Sequence, residues 1–147
     1  MKRKLNPRLK WGCLTPFAVF LALILGVYLL DTFVPSAARR ALADSATDVQ
    51  EYYSGSWNGD YVRCLRAKLP EADFPLYAKN LGLTDRFDPV AHADIESMIN
   101  IGFGDSPAWW TPPVAGPTTY FQHKRGDDFL QVLKFSDGYA FFVSTSW

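Results

Sequence analysis

The run WGCLTPFAVFLALILGVYLL, residues 11–30, has no charged side chain, and no other stretch limits what this chain can become as strongly. As a helix rising about 1.5 Å per residue it reaches about 30 Å, the thickness of a bilayer's hydrocarbon core. Trp11 and Tyr28 stand near its ends, where amphipathic rings favour the headgroup region, and Pro16 falls in the first turn or so, where a missing N–H does least harm. Ahead of it Lys2, Arg3, Lys4, Arg8 and Lys10 come without an acid, and behind it Arg39 and Arg40 are the nearest bases. The positive-inside rule then keeps the N-terminus in the cytoplasm and sends the rest outward.

The expected organisation follows. Residues 1–10 form a basic cytoplasmic tail, 11–32 a single-pass transmembrane signal-anchor helix with the lipid bilayer as its partner, 33–55 a juxtamembrane helix or stem, and 56–147 an extracytoplasmic domain in a bacterial periplasm or at the cell surface. The competing reading is a cleaved secretory signal, because Ser36–Ala38 and Ala41–Ala43 resemble small-residue cleavage sites. The apolar run is longer than the usual h-region of about 7–15 residues, and neither site lies close behind it.

All 15 acidic residues lie beyond residue 30, together with 10 of the 15 bases, which leaves that part of the chain at −5. Such a body repels phosphates, so nucleic acid is not expected as a partner. With 48% hydrophobic and 16% aromatic residues, it can build a packed core. Cys64 is the one cysteine beyond the apolar run, Cys13 being inside it, so no disulfide closes within the domain.

Periodicity predicts helices first. Leu42, Ala46, Val49 and Tyr53 recur at helical steps through residues 36–53, and SGSWNGD (54–60) ends that segment. Asn58 is placed to cap a helix through GDYVRCLRAKL, with Val62, Leu65 and Leu69 as its apolar edge, Cys64 on the apolar side, and Arg63, Arg66 and Lys68 giving it a positive side. In FPLYAKNLG, residues 74–82, Phe74, Tyr77, Ala78 and Leu81 fit one helical face, Pro75 lies in the tolerant first turn, and Gly82 sits where a left-handed cap belongs. Residues 89–99, with Ala91, Ile95 and Met98 on one side, are also read as helical.

From residue 118 the period changes to two. TTYFQHK, DFLQVLKF and YAFFVSTSW read as strands of an antiparallel meander, and Asp137–Gly138 suits a type I′ turn because both of its central positions need φ > 0. That turn sets Leu133 opposite Phe142 and Phe135 opposite Ala140 on one face, and Val132 opposite Val143 and Lys134 opposite Phe141 on the other. The expected fold class is α+β: an N-terminal transmembrane helix followed by a small domain of two or three helices packed on a three-stranded antiparallel β-meander.

Residues suited to chemistry are few. His92 and Glu96 stand at i,i+4, and Asp94 and His123 complete the hint of an acid–base or metal site; two ligands of helical spacing fall short of the three or four that zinc needs. No cofactor and no metal are expected. Arg125–Gly126–Asp127 matches an adhesion tripeptide, but Gly and Asp are also what a hairpin turn requires. Arg63, Arg66 and Lys68 could dock an anionic envelope polymer, although Asp60, Glu71 and Asp73 nearby suit local ion pairs. In WWTPPVAGP, prolines hold an extended backbone that displays neighbouring rings in fixed directions, so Trp109, Trp110, Pro112 and Pro113 are the candidate binding residues, with one tryptophan ring inside and the other partly outside.

The expected function is that of a membrane-anchored protein whose small outer domain is a non-enzymatic binding or accessory module of the cell envelope, with an envelope protein or glycan as partner. The alternatives are an envelope-acting enzyme using His92, Glu96 or His123, and a secreted binding protein released by signal cleavage.

Overall fold

The structure, a computed structural model, describes residues 16–26, 35–57, 59–100, 106–124 and 129–146. The chain divides into two units, Met1–Ser36 and Ala37–Trp147. In the first, residues 16–26 form a helix (α1) on which Phe17, Val19, Phe20, Leu21, Leu23, Ile24 and Leu25 are all exposed. Among the described residues no helix is long and apolar enough to cross a membrane. A spanning helix over residues 11–32 is therefore not part of the described fold; the flanks 11–15 and 27–34, like the basic tail, lie outside the described residues.

The second unit corrects the expected fold class. Instead of a three-stranded meander under two or three helices, it holds a six-stranded antiparallel sheet with a few short helices. The strands are β1 (Thr47–Gly55), β2 (Tyr61–Lys68), β3 (Asp85–Arg86), β4 (Tyr120–Lys124), β5 (Phe129–Ser136) and β6 (Tyr139–Ser146), in the order β1-β2-β6-β5-β4-β3. The helices are α2 (Ala37–Arg40), a 3₁₀ turn at Glu71–Asp73 running into α3 (Phe74–Asn80), and α4 (Glu96–Ile99).

Two expected helices are strands. Residues 36–53 keep only the four-residue α2 before β1 begins, and GDYVRCLRAKL is β2. The reason is visible in the burial of β2: it lies between β1 and β6, with Leu65, Ala67 and Leu69 buried under one layer and Cys64 under the other. A central strand covered on both faces loses the in–out alternation that marks a half-buried one, and its apolar positions then mimic a helical stripe. SGSWNGD is the hairpin between β1 and β2: Ser56 N donates to Asp60 O at 2.8 Å and Gly59 has φ +99°. Asn58, the expected helix cap, lies outside the described residues. The expected helix over 89–99 shrinks to α4 after a series of turns; Ile99 is its buried side chain, and Ile95 is buried just before it.

The C-terminal half follows its local chemistry. β5 and β6 pair as Leu133–Phe142, Phe135–Ala140, Val132–Val143 and Lys134–Phe141, the register set by the turn. Asp137 (φ +53°) and Gly138 (φ +79°) both occupy the left-handed region that a type I′ turn needs. In α3 the expected face is buried at Phe74, Tyr77 and Ala78, and Gly82 has φ +76°.

Both sheet faces are covered. On one, α3 and the segment after α2 lie over Leu65, Ala67, Tyr120, Leu133, Ala140 and Phe142. Tyr77 Oη donates to Ala38 O at 3.2 Å and Asn80 Nδ2 to Ala41 O at 3.1 Å, which ties that segment to α3. The chain then reaches β3 at the far edge and crosses the second face on its way to β4. There Phe87, Ile95 and Ile99 cover Phe121, Leu130 and Val132, while Trp110 covers Cys64 and Phe141. The Trp-Pro segment is thus a layer of the core as well as a connection.

Candidate functional site

Where the Trp-Pro segment meets the β5–β6 turn it leaves a cleft of about 390 Å³, lined by Arg66, Thr111, Pro113, Ser136, Asp137, Tyr139 and Phe141. The size falls within the roughly 300–1,000 Å³ of small-ligand sites. Each wall has a local cause. Tyr139 and Phe141 are two apart on β6 and share a face with Arg66, which stands opposite Phe141 on β2. Ser136 and Asp137 are fixed by the type I′ turn, and Pro113 by its own ring.

Arg66 and Gln50, which stands opposite it on β1, each keep one buried polar atom without a partner among the described residues. Arg66 Nη1 donates to Trp109 O at 3.3 Å and its Nη2 to Asp48 at 3.2 Å. Its Nε is buried and has no partner among the described residues. Charge-assisted N–H···O bonds usually measure about 2.7–2.9 Å, and the neighbouring Arg63–Glu51 pair reaches 2.7 Å. Arg66 is therefore held by long bonds to its acceptors and also by aromatic faces, with its guanidinium carbon 4.9 Å from the Tyr139 ring centre and 5.9 Å from that of Trp109. Asp48 reaches it from an irregularity in β1 between Thr47 and Gln50, where Asp48 itself has φ +47°. A bulge of this kind re-aims a side chain, and Asp tolerates the left-handed region better than most residues.

The four expected binding residues separate. Trp110 is 9% exposed and packs edge-on against Phe141 at 5.9 Å, so it belongs to the core. Trp109 is half-buried, perpendicular to Trp110 at 6.0 Å, and backs Arg66. Pro113 lines the cleft, and Pro112 faces a second, much smaller cavity of about 10 Å³ beside Lys134. Lys134 is buried, and its Nζ donates to Asn100 Oδ1 at 2.8 Å, an oxygen that also accepts from Ala115 N at 2.9 Å. Burial lowers the Lys134 ammonium from 10.5 to about 8.

The candidate acid–base residues have structural surroundings. His92 Nδ1 accepts from Asp88 N at 3.0 Å, and its ring sits 4.9 Å from Phe121 and 6.0 Å from Phe87. Glu96 is exposed, and His123 is half-buried on β4. Because residues 89–95 are turns, the helical i,i+4 spacing assumed for His92 and Glu96 does not apply. Among the described residues no group of three or more His, Cys, Asp or Glu is placed to hold a metal. Cys64 is fully buried, and desolvation pushes its thiol up to about 12, which leaves it neutral and inert. The positive stripe of Arg63, Arg66 and Lys68 is dispersed: strand alternation puts Arg63 on one face, against Glu51 and the Tyr53 ring, and Arg66 on the other. Arg125–Gly126–Asp127 lies outside the described residues.

Arg66, Ser136, Asp137, Tyr139 and Phe141 were not singled out together by their place in the chain. The usable signal was the Asp137–Gly138 turn, which fixes Ser136 opposite Tyr139. Comparison with protein-family models, curated proteins and solved structures finds no match for this chain.

Proposed function

We propose that this protein is a membrane-anchored binding module of a cell envelope, tethered through residues 11–32 with residues 1–10 in the cytoplasm, and that its outer domain recognises its partner without catalysing a reaction. The observation that carries this reading is the cleft of about 390 Å³ between the Trp-Pro segment and the β5–β6 turn. Its lining mixes apolar surface with hydroxyl, guanidinium and carboxylate groups, and it includes neither histidine nor cysteine. That composition suits recognition, because it sets hydrogen-bond donors and acceptors beside apolar surface, and its one hydroxyl–carboxylate pair, Ser136 with Asp137, lies between neighbouring residues of the β5–β6 turn. The tether is supported by the uncharged run and the five bases before it.

Two measurements test it. The intact mass of the protein recovered from membranes, with protease accessibility from each side, distinguishes the retained anchor with an outer domain from a cleaved, soluble form. In-cell crosslinking compares the full chain with Trp109→Ala and Thr111→Ala, both at positions outside the buried core. A crosslinked partner lost in these variants, with folding intact, is the expected result; the same partner captured equally by all three proteins removes the cleft from the account.

A further inference from the structure

Resting on the binding reading above, we propose that the cleft is a saccharide site, taking an uncharged sugar unit that places vicinal hydroxyls between Arg66 and Asp137 and a C–H face against Phe141 and Pro113. The charge balance excludes the simpler ligands first. Arg66 carries one positive charge, while Asp48 lies 3.2 Å from it and Asp137 lines the same cleft. An anionic ligand that approached Arg66 would meet two carboxylates, and a cationic one drawn to Asp137 or to the rings would meet the guanidinium that already covers Tyr139 at 4.9 Å. An uncharged ligand avoids both penalties.

The hydrogen-bonding inventory then narrows the class. A guanidinium offers five N–H donors; in Arg66 one on each Nη has a partner among the described residues, at 3.3 and 3.2 Å, the Nε donor is buried out of a ligand's reach, and the second N–H of each Nη remains. Arg66 therefore calls for oxygen acceptors. Asp137 accepts from Ser136 Oγ at 2.9 Å through Oδ2, and as a carboxylate it has further lone pairs that call for donors. Thr111 adds a hydroxyl that serves in either sense, and Ser136 Oγ, whose hydrogen goes to Asp137, can still accept. A ligand that must accept on one side and donate on the other, with apolar surface between, matches adjacent ring hydroxyls on a sugar, each of which does both. A peptide in extended form would instead seek a free strand edge, and the strands lining this cleft have none: β6 lies between β2 and β5, and β5 between β6 and β4.

The test uses the full chain in a detergent without a sugar headgroup, with the indole N–H of Trp109 and the Nε–H of Arg66 followed by NMR. The probes are cellobiose and chitobiose as uncharged disaccharides, longer chains of the same sugars, a galacturonate dimer as an acidic sugar, and a proline-rich peptide. Saturable shifts with an uncharged sugar are expected, insensitive to salt and weakened roughly tenfold or more by Thr111→Ala and by Asp137→Gly. Glycine keeps the φ > 0 that the turn needs, so the Asp137 variant removes the carboxylate without removing the hairpin. Tighter binding of the longer chains identifies a polymer as the source of the sugar, and equal binding identifies a free saccharide. If the uncharged sugars leave the cleft signals unmoved while the acidic dimer or the peptide shifts them, the saccharide assignment is wrong and the cleft remains a binding site. If no probe moves them and in-cell capture is also unchanged in Trp109→Ala, the binding reading falls with it.

Discussion

Replacing Lys134 by methionine should stabilise the domain at neutral pH and remove a component of its pH dependence. Lys134 sits on β5 opposite Phe141, 5% exposed, beside Ile99, Trp110, Pro112, Val132 and Val143. Its one hydrogen bond among the described residues goes to the neutral Asn100 side chain, so no carboxylate there offsets the desolvated ammonium. The fall from 10.5 to about 8 has burial as its cause. Taken in full, that gap corresponds to at most about 3.4 kcal/mol, and screening by nearby solvent reduces the usable figure to about 2 kcal/mol. The sign follows from proton counting. Between about 8 and 10.5 the unfolded chain holds the Lys134 proton and the folded chain has released it, so this group makes stability rise with pH across that window and weighs in full below it.

Two other groups act in the opposite direction and make the variant necessary as a control. The Cys64 thiol, raised from 9.0 to about 12 by burial, contributes stability that is lost as pH climbs through that interval. The Tyr77 hydroxyl, raised above 10.0 by burial and then by the charge of Glu51, adds a loss at still higher pH. Urea unfolding of both proteins from neutral pH to about 10.5 isolates the lysine, because the Cys64 and Tyr77 contributions cancel in the difference. The methionine variant should lead by about 1–2 kcal/mol at neutral pH, less than the full gain because Asn100 loses a donor, and the lead should vanish towards pH 10.5. A difference that stays constant across the range would refute the reasoning.

The two tryptophans should respond unequally. Trp110→Ala opens a cavity over Cys64 and Phe141 and should cost about 3–5 kcal/mol, whereas Trp109→Ala removes a half-buried ring and should cost about 1–2 kcal/mol; equal losses in urea unfolding would contradict their separate placement. The Cys64 thiol should resist a thiol-specific disulfide reagent in the native protein and react once urea opens the sheet, and prompt reaction of the folded protein would show that the Trp110 layer does not seal it.

What could be read from the chain was what short segments decide for themselves. The Asp137–Gly138 turn requires φ > 0 twice, and once it forms, the pairing of Leu133 with Phe142 and of Val132 with Val143 follows two residues at a time. The α3 face at Phe74, Tyr77 and Ala78 and its stop at Gly82 were equally local. One buried and one half-buried tryptophan followed from the need of a domain without disulfides to keep large rings inside. SGSWNGD carried a turn signal too, but the helical spacing on either side of it spoke louder.

The sequence by itself determined the uncharged run, the charge imbalance around it, and the local geometry of α3 and the β5–β6 hairpin. Only the tertiary structure decided that Thr47–Gly55 and Tyr61–Lys68 are strands, because for β2 its neighbours β1 and β6 and the two covering layers replace the alternation a lone strand would show, and β1 pairs onto β2 as the sheet's edge. It also decided the cleft. Arg66, Thr111, Pro113, Asp137 and Tyr139 come from segments far apart in the chain, and what sets their shared environment is the order in which β2 meets β6. That pairing joins the first hairpin to the last, a contact of long sequence separation that no local period encodes.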